Sequence, residues 1–141
     1  MSFKKSLSHR LVKSEDLNHH GTLFAGRCAE WFVEAGFVAV TQFLPVHQVV
    51  CLKLHGMEFL SPIKPGDVIR LESSVAYAGK STIMSYVKIV NRKTESIACE
   101  GFMTFCHVDE HTKPTPHNIQ IVLETEEDLE LYNLAMEIRK R

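Results

Sequence analysis

Residues 24–44 read FAGRCAEWFVEAGFVAVTQFL, and Pro45 follows directly. The stretch is rich in alanine and lacks the period-2 alternation of a half-buried strand, and it is long enough for five helical turns. At 100° per residue its polar side chains, Arg27, Glu30, Glu34 and Thr41, fall on one narrow stripe, with apolar residues around the rest. Such a helix has to be wrapped on most sides by other structure. Pro45 is expected to end it by withholding a backbone donor.

Outward from this segment the pattern changes. Four β-patterned runs are expected on its C-terminal side, at residues 49–59, 68–77, 82–90 and 96–108. Turn residues separate them: the Pro62/Pro65/Gly66 segment, Ala78-Gly79-Lys80, and Asn91-Arg92-Lys93. Read as hairpin-connected strands, they predict an antiparallel sheet. Before the helix, residues 3–12 read as a first strand, with a polar turn at 14–18. At the far end Thr125-Glu126-Glu127-Asp128 has the form of a capping box, which predicts an accessory helix over about 125–140.

One strand, a long apolar helix and four more strands make an α+β chain in which only that helix can cover the sheet's apolar face. A curved antiparallel sheet around one central helix is the hotdog fold. The chain of 141 residues fits one such domain over residues 1–141, with a core at about 5–117.

Composition narrows the function classes. A net charge of −1 leaves no cationic excess with which to grip nucleic acid or anionic lipid. No apolar run follows the basic N-terminus, and the polar interruptions at Glu34, Thr41 and Gln42 make residues 24–44 a buried helix, not a membrane span, so a cytoplasmic protein is expected. Cys28, Cys51, Cys99 and Cys106 lie far apart among apolar neighbours and read as small buried hydrophobes. His107-Val108-Asp109-Glu110-His111 spells H-x-x-E-H, but it ends a β-patterned run and precedes Lys113-Pro114, so the helical context of a zinc peptidase is missing. Trp31, Phe102 and Phe105 read as packing residues.

Three segments resemble the acyl-CoA hydrolase branch of the hotdog thioesterases. Asn18-His19-His20-Gly21-Thr22-Leu23-Phe24-Ala25-Gly26 is similar to that family's N-x-x-G-x-x-F-G-G approach to the central helix. Residues 58–67, EFLSPIKPGD, are similar to its F-x-x-P-x-x-x-G-D strand and turn, and Ala78-Gly79-Lys80-Ser81-Thr82 to its G-R/K-T/S-S hairpin. The resemblance implies hydrolysis of acyl-CoA to carboxylate and CoA, with CoA as part of the substrate and no other cofactor or metal. It also implies a homodimer or higher homo-oligomer, such as a tetramer or hexamer, with the site at a subunit interface and the CoA end against Gly79, Lys80 and Ser81.

The chemistry of such a site assigns roles. The first amides of a helix have no internal acceptor and carry the positive end of its dipole, so Ala25 and Gly26 can stabilise a thioester oxyanion. Gly26 would let the substrate approach the backbone, and Asn18 would orient a water or the carbonyl. The family's usual catalytic aspartate falls fifteen residues beyond the asparagine, at Val33, which cannot accept a proton. Glu34, Glu30 and the pair His19/His20 remain as candidate bases. Glu34, among Val33, Ala35, Gly36 and Phe37, is the one expected to be desolvated and so tuned toward a base; Glu30 can simply pair with Arg27. Without an acid at residue 33, two other readings stand beside the hydrolase: a non-catalytic acyl-CoA-binding module and a thioesterase for acyl-carrier-protein substrates. Lys80 offers a charge, and Gly79 and Ser81 donors, to phosphate.

Overall fold

The computed structural model describes residues 5–140. Strand β1 (Ser6–Leu11) leads through a 3-10 turn to helix α1 (Ala25–Val40), and then come β2 (Val49–Phe59), β3 (Val68–Ala78), β4 (Thr82–Asn91), β5 (Ser96–His107) and α2 (Glu126–Arg139). All five strands join one antiparallel sheet in the order β1-β3-β4-β5-β2. This is the hotdog fold the sequence predicts. Part of the expected first strand, residues 3 and 4, lies outside the described residues.

The sheet order corrects one expectation. β2 and β3 are not a hairpin: β2 pairs with β5 at the far edge, and the connection at 60–67 crosses the end of the sheet to reach β3. Backbone bonds hold this crossing along its length: Leu60 N–H to Ala98 O (2.8 Å), Leu23 N–H to Ile63 O (2.8 Å), Gly66 N–H to Val12 O (2.9 Å) and Val12 N–H to Asp67 O (2.9 Å). β2 is also irregular, with register shifts between Cys51 and Lys53 and between Leu54 and Met57. The second shift holds Gly56 at φ +115°, which is open to glycine and strained for other residues.

Helix α1 ends earlier than Pro45 would dictate. After Val40 the chain tightens, Phe43 N–H bonding to Val40 O (3.3 Å), while Thr41 Oγ1 donates back to Val38 O (3.0 Å). The helix packs across one face of the sheet, chiefly on β3 and β4, and buries Cys28, Trp31, Phe32, Ala35, Gly36, Ala39 and Val40. It is not enclosed on most sides: Glu30, Glu34 and Val38 are exposed, because a single sheet covers only one side of a rod. Gly36 allows the close approach to β4 and β5; a Cβ there would strike Met103 and come within 2.8 Å of Ser85 Oγ.

α2 has the expected capping box, Thr125 Oγ1 accepting from Asp128 N–H (3.0 Å) and Asp128 accepting from Thr125 N–H (3.2 Å). It packs Leu131, Ala135 and Ile138 on a cluster around Ala76, Met84 and Phe102. Trp31, Phe102 and Phe105 are core residues, as read. Of the four cysteines three are buried, but Cys51 is exposed because β2 is an edge strand. No helix among the described residues is long and apolar enough to cross a membrane.

Candidate functional site

The loop before α1 is built around Asn18. Its backbone pairs with Thr22 (Asn18 N–H to Thr22 O, 2.7 Å), and its Oδ1 accepts from His20 N–H (2.8 Å) and Thr22 N–H (3.2 Å). Nδ2 donates to Thr22 Oγ1 (3.0 Å), so the amide organises the turn, with Gly21 at φ +77° completing it. Asp16, buried, then anchors the helix start. Its carbonyl accepts from Phe24 N–H (2.8 Å), and its carboxylate meets Arg27 Nε (3.3 Å) and Lys13 N–H (2.9 Å).

No side chain caps α1, and its first turn carries no acid. The positive end of the helix therefore opens, at Ala25, on a cavity of about 330 Å³. Asn18, Thr22, Leu23, Ala25 and Cys28 line one side of it, and residues 59–63 with Ala98 line the other. The structure brings Asn18 and Ala25 together. Gly26 does not line this cavity: its Cα is covered by the Phe24 ring, whose Cζ would sit 3.1 Å from a Cβ, so the close approach inferred for substrate is taken by the protein's own side chain.

Glu34 is not desolvated. It projects from the flank of α1 that faces β1, its side chain 67% exposed, and pairs with Arg10 Nη2 at 3.1 Å while that guanidinium lies over Trp31 (4.9 Å). Its apolar sequence neighbours, at 100° per residue, point to other sides of the helix and do not bury it. Glu30 is exposed and meets Arg27 Nη1 at 3.6 Å, and His19 and His20 are exposed with their rings 4.0 Å apart. Among the described residues, no carboxylate lines the cavity.

Gly79, Lys80 and Ser81 form the β3–β4 turn, fastened by Gly79 N–H to Thr82 O (2.8 Å), His107 N–H to Ser81 O (2.7 Å) and His117 N–H to Lys80 O (3.2 Å). His107 and His117 are thus parts of a strap: His107 also contacts Thr115 O (2.9 Å) and Gln48 Oε1 (3.1 Å), and His117 contacts Thr82 O (2.9 Å). The H-x-x-E-H segment is a strand end and turn, with no helical turn between its histidines. The hairpin lies beside Cys106, whereas the cavity lies beside Cys99. Those positions on β5 differ by seven residues (106 − 99), or about 23 Å at the strand rise. A single chain keeps the helix start and the hairpin at opposite ends of its sheet.

Sequence reasoning missed the other walls of the cavity, Thr22, Cys28, Leu60 and Ile63. Thr22, inside the asparagine motif, and Leu60 and Ile63, inside the 58–67 motif, carried a signal; Cys28 carried none. The Cys99 thiol, as hydrogen-bonding neighbour, holds the Cys28 thiol below the usual thiol range against the opposing effect of burial. The same interaction, with burial, pushes Cys99 well above it.

A family model described as "Thioesterase superfamily" matches residues 20–98. The chain belongs to the thioesterase superfamily. Among curated superfamily members it is 29% identical over 126 residues to the uncharacterized acyl-CoA thioester hydrolase YkhA of Bacillus subtilis (strain 168), covering 86% of this chain and 72% of that one. Among solved structures it is similar to the acyl-CoA hydrolase of Staphylococcus aureus in complex with butyryl coenzyme A, coenzyme A and coenzyme A disulfide. That match has TM-score 0.89 and 28% identity, covering 97% of this chain and 82% of that one. An apo-hexameric acyl-CoA thioesterase matches with TM-score 0.86 and 29% identity, over 96% and 88% of the two chains.

Proposed function

We propose that this superfamily member hydrolyses acyl-CoA thioesters to carboxylate and CoA. The observation that carries the reading is the cavity at the uncapped start of α1, lined by Asn18 and Ala25, in a chain similar to acyl-CoA hydrolases along most of its length. A thioester carbonyl directed at the Ala25 amide has a donor and a dipole waiting for the negative charge that forms as water attacks. Asn18 shapes the rim that holds that carbonyl in place. The reaction as proposed uses water and protein groups only.

The reading needs a second copy of the chain. β2 is an unpaired edge, and its surroundings expose Leu52, Leu54, Phe59 and Leu60, an apolar border that suits pairing with another β2 and not contact with water. Antiparallel pairing about a two-fold axis would set the cavity end of one sheet beside the hairpin end of the other. Lys80 of one copy would then meet the CoA phosphates of a substrate whose thioester lies at Ala25 of the other. The similarity to a hexameric thioesterase is consistent with further assembly of such dimers. A cytoplasmic setting belongs to the same proposal.

Mixing two inactive variants tests the shared site. If Asn18→Ala and Lys80→Glu lie in different chains of each site, a mixed dimer retains one intact site of two. Random mixing then restores about a quarter of wild-type hydrolysis at low substrate. No recovery above the separate variants would refute the shared site.

A non-catalytic acyl-CoA-binding module is the second reading, favoured by Val33 and by the lack of a carboxylate in the cavity among the described residues. Chromatographic measurement of CoA release by wild type, Glu30→Gln and Glu34→Gln separates the two. A substitution that abolishes release identifies the base; acyl-CoA binding without release in the wild type would establish the module. Competition by free CoA would distinguish CoA from acyl-carrier-protein thioesters.

A further inference from the structure

His117 lies in the strap that follows β5, buried between two exposed neighbours, Pro116 and Asn118. Its amide and both ring nitrogens are bonded. The N–H donates to Lys80 O (3.2 Å), Nδ1 accepts from Ile119 N–H (2.9 Å), and Nε2 lies 2.9 Å from Thr82 O. A ring nitrogen that accepts carries no proton, so the proton is on Nε2 and is donated to the Thr82 carbonyl. The two ring bonds have different jobs. Nδ1 closes the strap's own turn, in which Asn118 takes φ +58° and Ile119 reaches the core; Nε2 ties that turn to the start of β4.

The hairpin is thereby gripped on both sides of Ser81. Thr82 O accepts from Gly79 N–H as well (2.8 Å), and Ser81 O accepts from His107 N–H (2.7 Å). The carbonyls of residues 80, 81 and 82 are all engaged. In a planar trans peptide the N–H points opposite to the C=O. With Lys80 C=O turned to His117, the Ser81 N–H is turned away from the strap, next to the exposed Lys80.

We propose that His117 is a positioning residue for the CoA end of the ligand. Its bond to Thr82 O keeps the Lys80–Ser81 peptide turned so that the Ser81 amide and the Lys80 ammonium meet phosphate together. The choice of ligand rests on the acyl-CoA reading above. An amide and an ammonium aimed at one anion make charge-assisted bonds that a peptide free to rotate would lose in part.

Two substitutions separate the two ring bonds. Glutamine carries an amide donor at the depth of Nε2, and asparagine an acceptor at the depth of Nδ1. Calorimetric titration of the full chain with CoA and with pantetheine, its phosphate-free fragment, reads the effect. Wild type is expected to bind CoA at least about tenfold more tightly than pantetheine, the scale of one hydrogen bond to a charged group. His117→Asn should weaken CoA binding by about tenfold and leave pantetheine within about twofold, while His117→Gln should stay near wild type for both. Thermal unfolding establishes that each variant is folded. If His117→Asn is not, His117→Ala stands in its place, since it too lacks the bond to Thr82. The proposal is overturned if the Gln variant and the variant lacking that bond bind CoA equally. Equal weakening toward CoA and pantetheine would also overturn it, because that is the mark of a general fold defect. If wild type does not prefer CoA to pantetheine, the hairpin does not meet phosphate, and the CoA reading of the hairpin falls together with this role for His117.

Discussion

Replacing Gly101 by alanine is expected to damage the protein far more than replacing Gly36, although both glycines are surrounded by atoms. A Cβ on Gly101 would run into the backbone carbonyl of Gly56 on the neighbouring strand β2 and lie 2.9 Å from Phe32 Cζ. The carbonyl cannot rotate away, because Gly56 sits in the irregular stretch of β2 with φ +115° and the pairs Leu54↔Met103 and Met57↔Gly101 hold it from both sides. Relief requires β2 to move away from β5, which puts the cost at the upper end of overpacking or above it, at least about 3 kcal/mol. For a chain of this size that is roughly a 10 °C fall in Tm. A Cβ on Gly36 meets Met103 Sδ and Cε and Ser85 Oγ, all side-chain atoms, and the thioether can take another rotamer. Moving it costs about 1–2 kcal/mol, offset by about 1 kcal/mol of helix propensity gained over glycine. Thermal and urea unfolding at one fixed protein concentration measures both variants. A Gly36→Ala loss equal to or larger than that of Gly101→Ala would refute this account of how β2 is seated.

Ser85→Ala is expected to stabilise the fold by about 1 kcal/mol, because the Ser85 hydroxyl is fully buried under α1 and has no hydrogen-bond partner; urea unfolding reads it. Tyr86 is held far above the ordinary tyrosine range by burial and by its bond to Glu100 (2.6 Å). Its contribution is therefore complete below the unfolded pKa of about 10 and is lost as pH rises beyond it, a slope that Tyr86→Phe should lack in alkaline unfolding. Val33→Asp is expected to raise CoA release by about 100-fold, the lower end of the range for a positioned base, in a turnover assay.

The elements of this chain were legible because each carries its own local signal. Alanine content and a single polar stripe mark α1, alternation marks β2 to β5, and Thr125 with Asp128 marks the start of α2. Sheet order has no such signal. Alternation tells which residues of β2 share a face but not which strand lies beside it, and it is the ladder from Val49↔His107 to Phe59↔Cys99, continued by Leu60 N–H to Ala98 O, that puts β2 at the β5 edge. The site was legible to the same degree. Asn18 and Ala25 share a cavity because the residues between them form one tight turn, a local matter. Glu34 depended on Arg10, which is far away in sequence and brought near only by the β1–β3 pairing. Gly26 depended on a rotamer of Phe24 that no pattern in the chain expresses.

The same contacts decide what Val33→Asp should do. Glu34 and Trp31 face β1 through Arg10, whereas Phe37 packs its ring 5.7 Å from Phe105 of β5, the strand next to the open edge β2. Val33 lies one turn before Phe37 and so shares its flank. An acid at residue 33 would therefore project on the side of α1 nearer the proposed partner, and an acid at residue 34 projects away from it. Val33 is half-buried against the core, so the aspartate will cost about 2 kcal/mol of stability. Its carboxyl would be hindered from ionising by that burial, the direction that suits a general base. A gain in CoA release together with this loss in Tm would place the second copy's helix against the Asn18 cavity. The same loss in Tm with no gain would mean that this flank of α1 does not face a thioester, and the two-copy site would have to be abandoned.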